Sequence, residues 1–174
     1  MDRPLLAALI FDESMAPDPM IAAVLARHPG LRVAGLLQSP AREGDCDCRD
    51  LTVRDLQTGA VHAITQNLGA MSRGCRLDGG ALAELAGGLL RALQSGPDLL
   101  ILNRFGKSEA EGGGLRQVLE EALARGIPTL APVNPRHLAL WRDYAGDLAE
   151  DLPCDAGALE NWISRALRPA KICP

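Results

Sequence analysis

Aromatic side chains are scarce in this chain: two Trp, two Phe and one Tyr serve 174 residues. A platform that stacks the bases of single-stranded nucleic acid needs several aromatic faces, so the composition argues against that class of function. The core must rest on Leu, Ala, Val and Ile, within a hydrophobic content of 47%. No run of Lys or Arg stands out, and the formal net charge is −4. Nonspecific nucleic-acid binding needs a basic face to displace counterions, and none is offered. Apolar stretches all fall short of the roughly 20 residues that a membrane span requires. The opening MDRPLLAALIFDESM lacks the basic start and small-residue cleavage site of a secretion signal, and reads as the lead into a buried strand of a cytoplasmic protein. Five cysteines, an odd number without such a signal, point to reduced thiols rather than a disulfide framework.

Short apolar runs alternate with amphipathic segments. LLAALIF (5–11), LRVAGLLQ (31–38), DLLILN (98–103) and IPTLAPV (127–133) read as buried strands, and DLAEDLP (147–153) as a short edge strand. Helices are predicted through PMIAAVLARH, with Asp18 as N-cap and Pro19 at its first position, and through GGALAELAGGLLRALQ, capped by Asp78. Further helices follow in LRQVLEEALARG, RHLALWRDYAG and AGALENWISRAL; the last has Leu159, Trp162, Ile163 and Ala166 on one stripe. RDLTVRDL and VHAITQ flank Gln57-Thr58-Gly59-Ala60 and predict an antiparallel hairpin, inserted at about 39–77. The expectation is one α/β domain over 1–174, with a mostly parallel sheet covered by helices on both faces. Ligands in such sheets bind beyond the carboxyl ends of the strands.

A phosphate-binding loop after the first strand reads G-x-x-x-x-G-K-[ST], because backbone amides cradle phosphate and the lysine reaches the outer phosphates. The equivalent interval here is DESMAPDP. Pro17 stands for the second glycine, Asp18 for the lysine and Pro19 for the hydroxyl residue. Proline has no amide hydrogen to give, and aspartate repels phosphate where lysine attracts it. A magnesium-binding Asp followed by a water-activating Glu would stand where the chain has Asn103-Arg104. Asn is a poor magnesium ligand and Arg is no base near neutral pH. Magnesium-dependent hydrolysis of nucleoside triphosphates therefore lacks both of its parts, unless Glu109 or Glu111 substitutes.

Three stretches together, AGLLQS…REGDCDCRDLTVRDLQTG, SRGCRLDGGALAELA and DLLILNRFGKSEAEGGGLR, resemble a bacterial family of unknown function often encoded beside molybdate-transport genes. More remotely, the layout is similar to the THEP1-type P-loop nucleoside triphosphatases. Leu56-Gln57-Thr58-Gly59 matches that family's hairpin turn, and Gly106 and Glu109 match two positions of its strand-end motif D-E-I-G-x-x-E. The first resemblance implies a degenerate P-loop-like fold and a molybdenum setting; the second implies phosphohydrolysis, for which the residues are missing.

Two constellations are candidates for chemistry. Arg104 and Lys107, with Asn103 and Gly106, stand before Gly112–Gly114 and a helix start, where amides and the helix dipole favour an anion. Ser72-Arg73-Gly74 and Arg76 offer a second cradle. The competing expectation is that Arg104 simply pairs with Asp12 or Glu13. Cys46, Cys48 and Cys75 supply three soft ligands for zinc, iron or molybdenum, against the alternative of incidental thiols. Asp12, Glu13 and Asp18 read as a solvated acidic loop more readily than as a cation site. Cys154 and Cys173 look peripheral, the three histidines receive no catalytic role, and Trp141 and Trp162 read as core or interface. Neither G-x-S-x-G nor H-E-x-x-H occurs. The reading that follows is a non-hydrolytic protein binding a small oxyanion or nucleotide, an accessory in molybdate or tungstate handling with a transport or molybdoenzyme partner. A triphosphatase or phosphotransferase with atypical residues, and an interaction module using its hairpin edge, are the alternatives. Dimerisation is left open.

Overall fold

The structure, a computed structural model, describes residues 4–39, 51–66 and 77–167. Among these residues, seven strands form one sheet: β1 (Leu6–Ile10), β2 (Val33–Ser39), β3 (Thr52–Asp55), β4 (Val61–Ala63), β5 (Leu99–Ile101), β6 (Thr129–Val133) and β7 (Ala149–Pro153), in the order β4-β3-β2-β5-β6-β1-β7. β2, β5, β6, β1 and β7 run parallel, and β3 and β4 extend the sheet antiparallel beyond β2. The central strands are the continuous apolar runs: β5 and β6 are buried throughout, as sequences covered on both faces require. β1 lies between β6 and β7, with Leu6 aligned to Thr129 on one side and Ala149 on the other.

Helices α1 (Pro17–Ala26) and α6 (Ala156–Ala166) cover one face. Helices α2 (Gly79–Gln94), α4 (Arg116–Ala124) and α5 (Leu138–Ala145) cover the other. Right-handed crossovers account for the split, because β1 connects to β2 in one direction along the sheet and the later strands return in the other. The predicted α6 stripe is borne out: Leu159, Trp162, Ile163 and Ala166 are fully buried, against Ile21 and Val24 of α1. Burial of large side chains such as Trp162 and Leu159 contributes about 1.5–3 kcal/mol each. Asp78 caps α2 as expected, accepting from the amides of Gly80 and Ala81. Trp141 is core, edge-on to Phe105 at 5.0 Å, with Tyr144 5.4 Å from the same Phe ring. Three of the five aromatics thus make one cluster behind β5 and β6.

Two local expectations fail. α1 starts at Pro17, and Ala16 holds the cap position without a side-chain bond. Asp18 lies inside the first turn, where its carboxylate is drawn to groups on other strands, and the fixed φ of Pro17 suits the first helical position. The stretch after β5, expected to hold its first helix start only after Gly112–Gly114, contains a one-turn helix, α3 (Lys107–Ala110). Pro132 in central β6 is tolerated because the pairing of β5 with β6 ends at Ile101–Leu130. Beyond that point β5 departs, and only an isolated bridge, Phe105 to Val133, rejoins the two. The sheet therefore loosens at the carboxyl ends of β5 and β6.

Candidate functional site

β1 delivers the chain to α1 on one face, while β6 delivers it to α5 on the other. Their carboxyl ends flank the crevice where an open α/β sheet accepts ligands. Among the described residues, the ends of several strands meet around it, Gln38 of β2 included. Phe11 to Pro19 leave β1; Asn103 to Gly106 leave β5; Asn134 to His137 leave β6; Cys154 leaves β7.

Arg104 is the centre of the polar contacts. Its two terminal nitrogens fork onto the Asp18 carboxylate, Nη2 to Oδ2 and Nη1 to Oδ1 at 3.2 Å, and Nη1 also donates to its own neighbour, the Asn103 carbonyl, at 2.7 Å. The guanidinium lies 4.8 Å from the centroid of the Phe11 ring. Asp18 Oδ1 accepts in addition from the backbone amide of Gln38 at 2.7 Å, which ties the start of α1 to the end of β2. The Asp18 side chain is 11% exposed and that of Arg104 25%, so the pair is largely withdrawn from water. Arg104 therefore pairs internally, as one expectation held, but with Asp18 rather than Asp12 or Glu13. Those two acids are otherwise engaged. Asp12 accepts from the Ser14 hydroxyl and backbone amide, which hold its carboxyl below the usual range. Glu13 accepts from Arg136 Nη2 at 2.6 Å on the exposed rim. The loop that in a phosphate binder would present amides and a lysine here presents carboxylates to two strand-end arginines. Prolines 17 and 19 further remove two of the first amides of α1.

The strand-end motif is likewise turned inward. Asn103 is 8% exposed, and its side-chain oxygen finds no partner among the described residues. Glu109 receives the amides of Gly106 and Leu115, each at 3.1 Å, and so closes the 106–115 loop on itself. Gly114 makes this seat: its φ is +54°, and a Cβ there would fall 2.0 Å from Glu109 Oε1. The Leu115 amide at the N-cap of α4 is thereby already bound, and the Arg116 amide that follows is taken by the Gly113 carbonyl. Lys107 faces solvent beside Glu111 at 3.6 Å. Gly106 lies close to His137, whose ring would be 3.7 Å from an added Cβ. Arg116 donates to the carbonyls of Glu109 and Ala110 and covers the Tyr144 ring at 4.7 Å.

Ser72, Arg73, Arg76, Cys46, Cys48 and Cys75 lie outside the described residues, as does Cys173. No group of three or more metal-ligating side chains occurs among the described residues. Cys154, read as peripheral, belongs to the site. Burial raises its thiol above the ordinary value, Arg104 acts against that, and Asp12, Asp18 and Asp155 reinforce it. A thiol held protonated is a poor nucleophile and metal ligand. Asp18 as an ion-pair partner, and Gln38 and Arg136, were not singled out from sequence. Only the charge at the lysine position of the motif signalled Asp18. His28 pairs with Glu160 across α1 and α6 at 3.0 Å, and His62 lies exposed on β4.

A family model described as a protein of unknown function, DUF2478, matches residues 6–162, both strand-end segments included. The chain belongs to the DUF2478 family. A molybdenum import ATP-binding protein, ModC 2, from Bradyrhizobium diazoefficiens is 33% identical to the DUF2478 chain over 133 residues. That match takes in 76% of the chain but spans only 15% of the relative's length. Among solved structures, a human cancer-related nucleoside triphosphatase superposes with a TM-score of 0.63, covering 91% of the DUF2478 chain and 93% of its own at 15% identity. At that identity the likeness speaks for the fold alone, and the fold is P-loop NTPase-like, as expected. No helix among the described residues is long and apolar enough to cross a membrane.

Proposed function

We propose that this DUF2478 protein is a non-hydrolysing binding domain. It holds an oxyanion or nucleotide phosphate at the carboxyl ends of β1, β5 and β6, as an accessory in molybdate or tungstate handling. The observation that carries the reading is the Asp18–Arg104 pair, standing where a phosphate-binding lysine would meet its ligand. Arg104 presents a planar fork matched to two oxygens, and Asp18 is its resting partner. An oxyanion enters by replacing one pair of oxygens with another, so binding is weak and falls with rising salt. Against hydrolysis stand the reversed charge at Asp18, the absence of an acid pair at Asn103-Arg104, and a Glu109 committed to two backbone amides. The molybdenum setting rests on the name of the Bradyrhizobium relative, of which the chain matches a minor part.

Isothermal titration with molybdate, tungstate, phosphate and ATP tests the reading on the full chain. Arg104→Glu is expected to abolish binding, and Asp18→Asn to tighten it, because it removes the competing carboxylate while keeping an acceptor for Gln38. Binding unchanged in both variants would place the anion elsewhere. Sustained phosphate release from ATP, lost in Glu109→Gln, would overturn the non-hydrolytic part. Elemental analysis of gently purified protein beside a Cys46/Cys48/Cys75→Ser variant decides whether those thiols carry a metal.

A further inference from the structure

The hairpin end of the sheet and α2 enclose an open groove of about 1130 Å³, remote from the strand-end site. One side is β4, exposed along its whole length, with Val61 55% accessible. The other is a flank of α2 that carries Glu84, Gly87, Gly88 and Arg91.

The two edges of the sheet are treated differently. β7 carries Glu150 and Asp151, ends on Pro153, and has its carboxylates tied to Arg165 and Arg142. Charge and proline of this kind discourage a further strand from adding to the edge. β4 reads Val-His-Ala, and its own residues carry neither a charge pair nor a proline.

The α2 flank carries two costs that nothing among the described residues explains. Glycine in a helix interior costs about 1 kcal/mol relative to alanine, and here two stand together in the middle of a 16-residue helix. Among the described residues, an added Cβ would touch only the Arg91 guanidinium, at 3.6 Å from Gly87 and 3.9 Å from Gly88, so their packing does not demand glycine. Glu84 and Arg91, on either side, make no ion pair among the described residues, whereas Arg116, Arg142 and Arg165 on the other helices each find a carboxylate.

These features fit one another across a two-fold axis. Glu84 lies as far before Gly87 as Arg91 lies beyond Gly88. In an antiparallel helix contact centred on the two glycines, Glu84 meets the partner's Arg91, and Arg91 meets the partner's Glu84. Once Arg91, whose guanidinium lies over the two glycines in the free chain, swings out to the partner's carboxylate, the missing Cβ atoms let the backbones approach at the crossing. Such a surface is self-complementary, as an isologous interface must be.

We infer that the groove docks a second copy of this chain, with α2 crossing α2 at Gly87 and Gly88, paired Glu84–Arg91 contacts on both sides, and the exposed strand β4 alongside. The inference is independent of the oxyanion reading.

Sedimentation velocity of the full chain across the micromolar range tests it, with circular dichroism to show that each variant is folded. The wild type is expected to dimerise. Glu84→Arg and Arg91→Glu each turn two attractive contacts into repulsive ones and should raise the dimer Kd by about tenfold or more. The combined E84R/R91E exchange should restore it. Gly87→Ala should weaken the dimer while favouring the helix itself. A wild type that stays monomeric overturns the inference and leaves the groove to a different partner. Singles without effect, or an exchange that fails to rescue, overturn the assigned contacts.

Discussion

Removing Asp18 should be costly in a way that a surface ion pair is not. Breaking a buried ion pair by deleting one partner costs about 3–5 kcal/mol, because the other charge is stranded. Arg104 keeps a quarter of its side chain in solvent, so part of that penalty is relieved by hydration. Asp18→Ala also strips the Gln38 amide of its acceptor, worth about 1–2 kcal/mol where the group is partly buried. Together these give a loss of about 3 kcal/mol. Arg104→Ala leaves Asp18 with the Gln38 amide alone and removes the contact with the Phe11 ring, for about 2–3 kcal/mol. The double variant should lose about 3–4 kcal/mol, well short of the sum, which leaves a coupling of about 2 kcal/mol. For a chain of this size, 3 kcal/mol corresponds to a fall in Tm of roughly 6–12 °C. Urea unfolding followed by fluorescence is a suitable assay, since Trp141 and Trp162 are both fully buried reporters. The favourable placement of Asp18 in the first turn of α1 is lost in both Asp18 variants and drops out of the coupling. Single losses below about 0.5 kcal/mol, or strict additivity, would mean that the pair is a solvent contact. Arg104 would then not be held in place for a ligand.

Gly114→Ala should cost about 2–3 kcal/mol, from the left-handed backbone and the displaced Glu109 carboxylate. Amide exchange of Gly106 and Leu115 should accelerate with it, and unaltered exchange would contradict the loop closure described. Asp78→Ala should remove about 1 kcal/mol through the N-cap of α2, measured as a shift in urea midpoint at constant slope. Arg165 holds the Glu150 carboxyl below its ordinary value through two hydrogen bonds that outweigh its partial burial. A carboxylate depressed in the folded state stabilises above its unfolded pKa of about 4.3 and stops doing so as pH falls through the lower folded value. The stability gap between wild type and Glu150→Gln should therefore be present at pH 7 and shrink below about pH 4. Both side chains are more than a third exposed, so the gap is small, and a gap that widens in acid would reverse the assigned sign.

Element identity was legible wherever a single local pattern decided it. The apolar runs of β1, β5 and β6 have no polar face to show to water, and their burial follows. The stripe of α6 and the cap of α2 were readable for the same reason: each depends on residues within one or two helical turns. The charge at Asp18 also told, before any fold was known, that a phosphate loop of the usual kind was lost. Its partner was not legible. Arg104 is 86 residues away, and nothing local distinguishes Asp18 from Asp12 or Glu13 as its counter-ion. The choice depends on where α1 starts relative to β2 and β5. Glu109 shows the same limit: as sequence it resembles a catalytic acid, yet in space it is a loop brace, because Gly114 and Leu115 fold back onto it.

Composition and periodicity alone thus settled the α/β class, the parallel core, the helix faces and the reversal of charge at the phosphate position, all of which are set by neighbours close in the chain. Which charges meet was a matter for the assembled sheet. Placing β1 between β6 and β7 brings Arg104, Arg136 and Cys154 to the β1 loop, and bending β5 away at Asn103 turns Arg104 onto Asp18. Ion pairing depends on a few ångströms of separation, and strand order, not sequence distance, sets that separation.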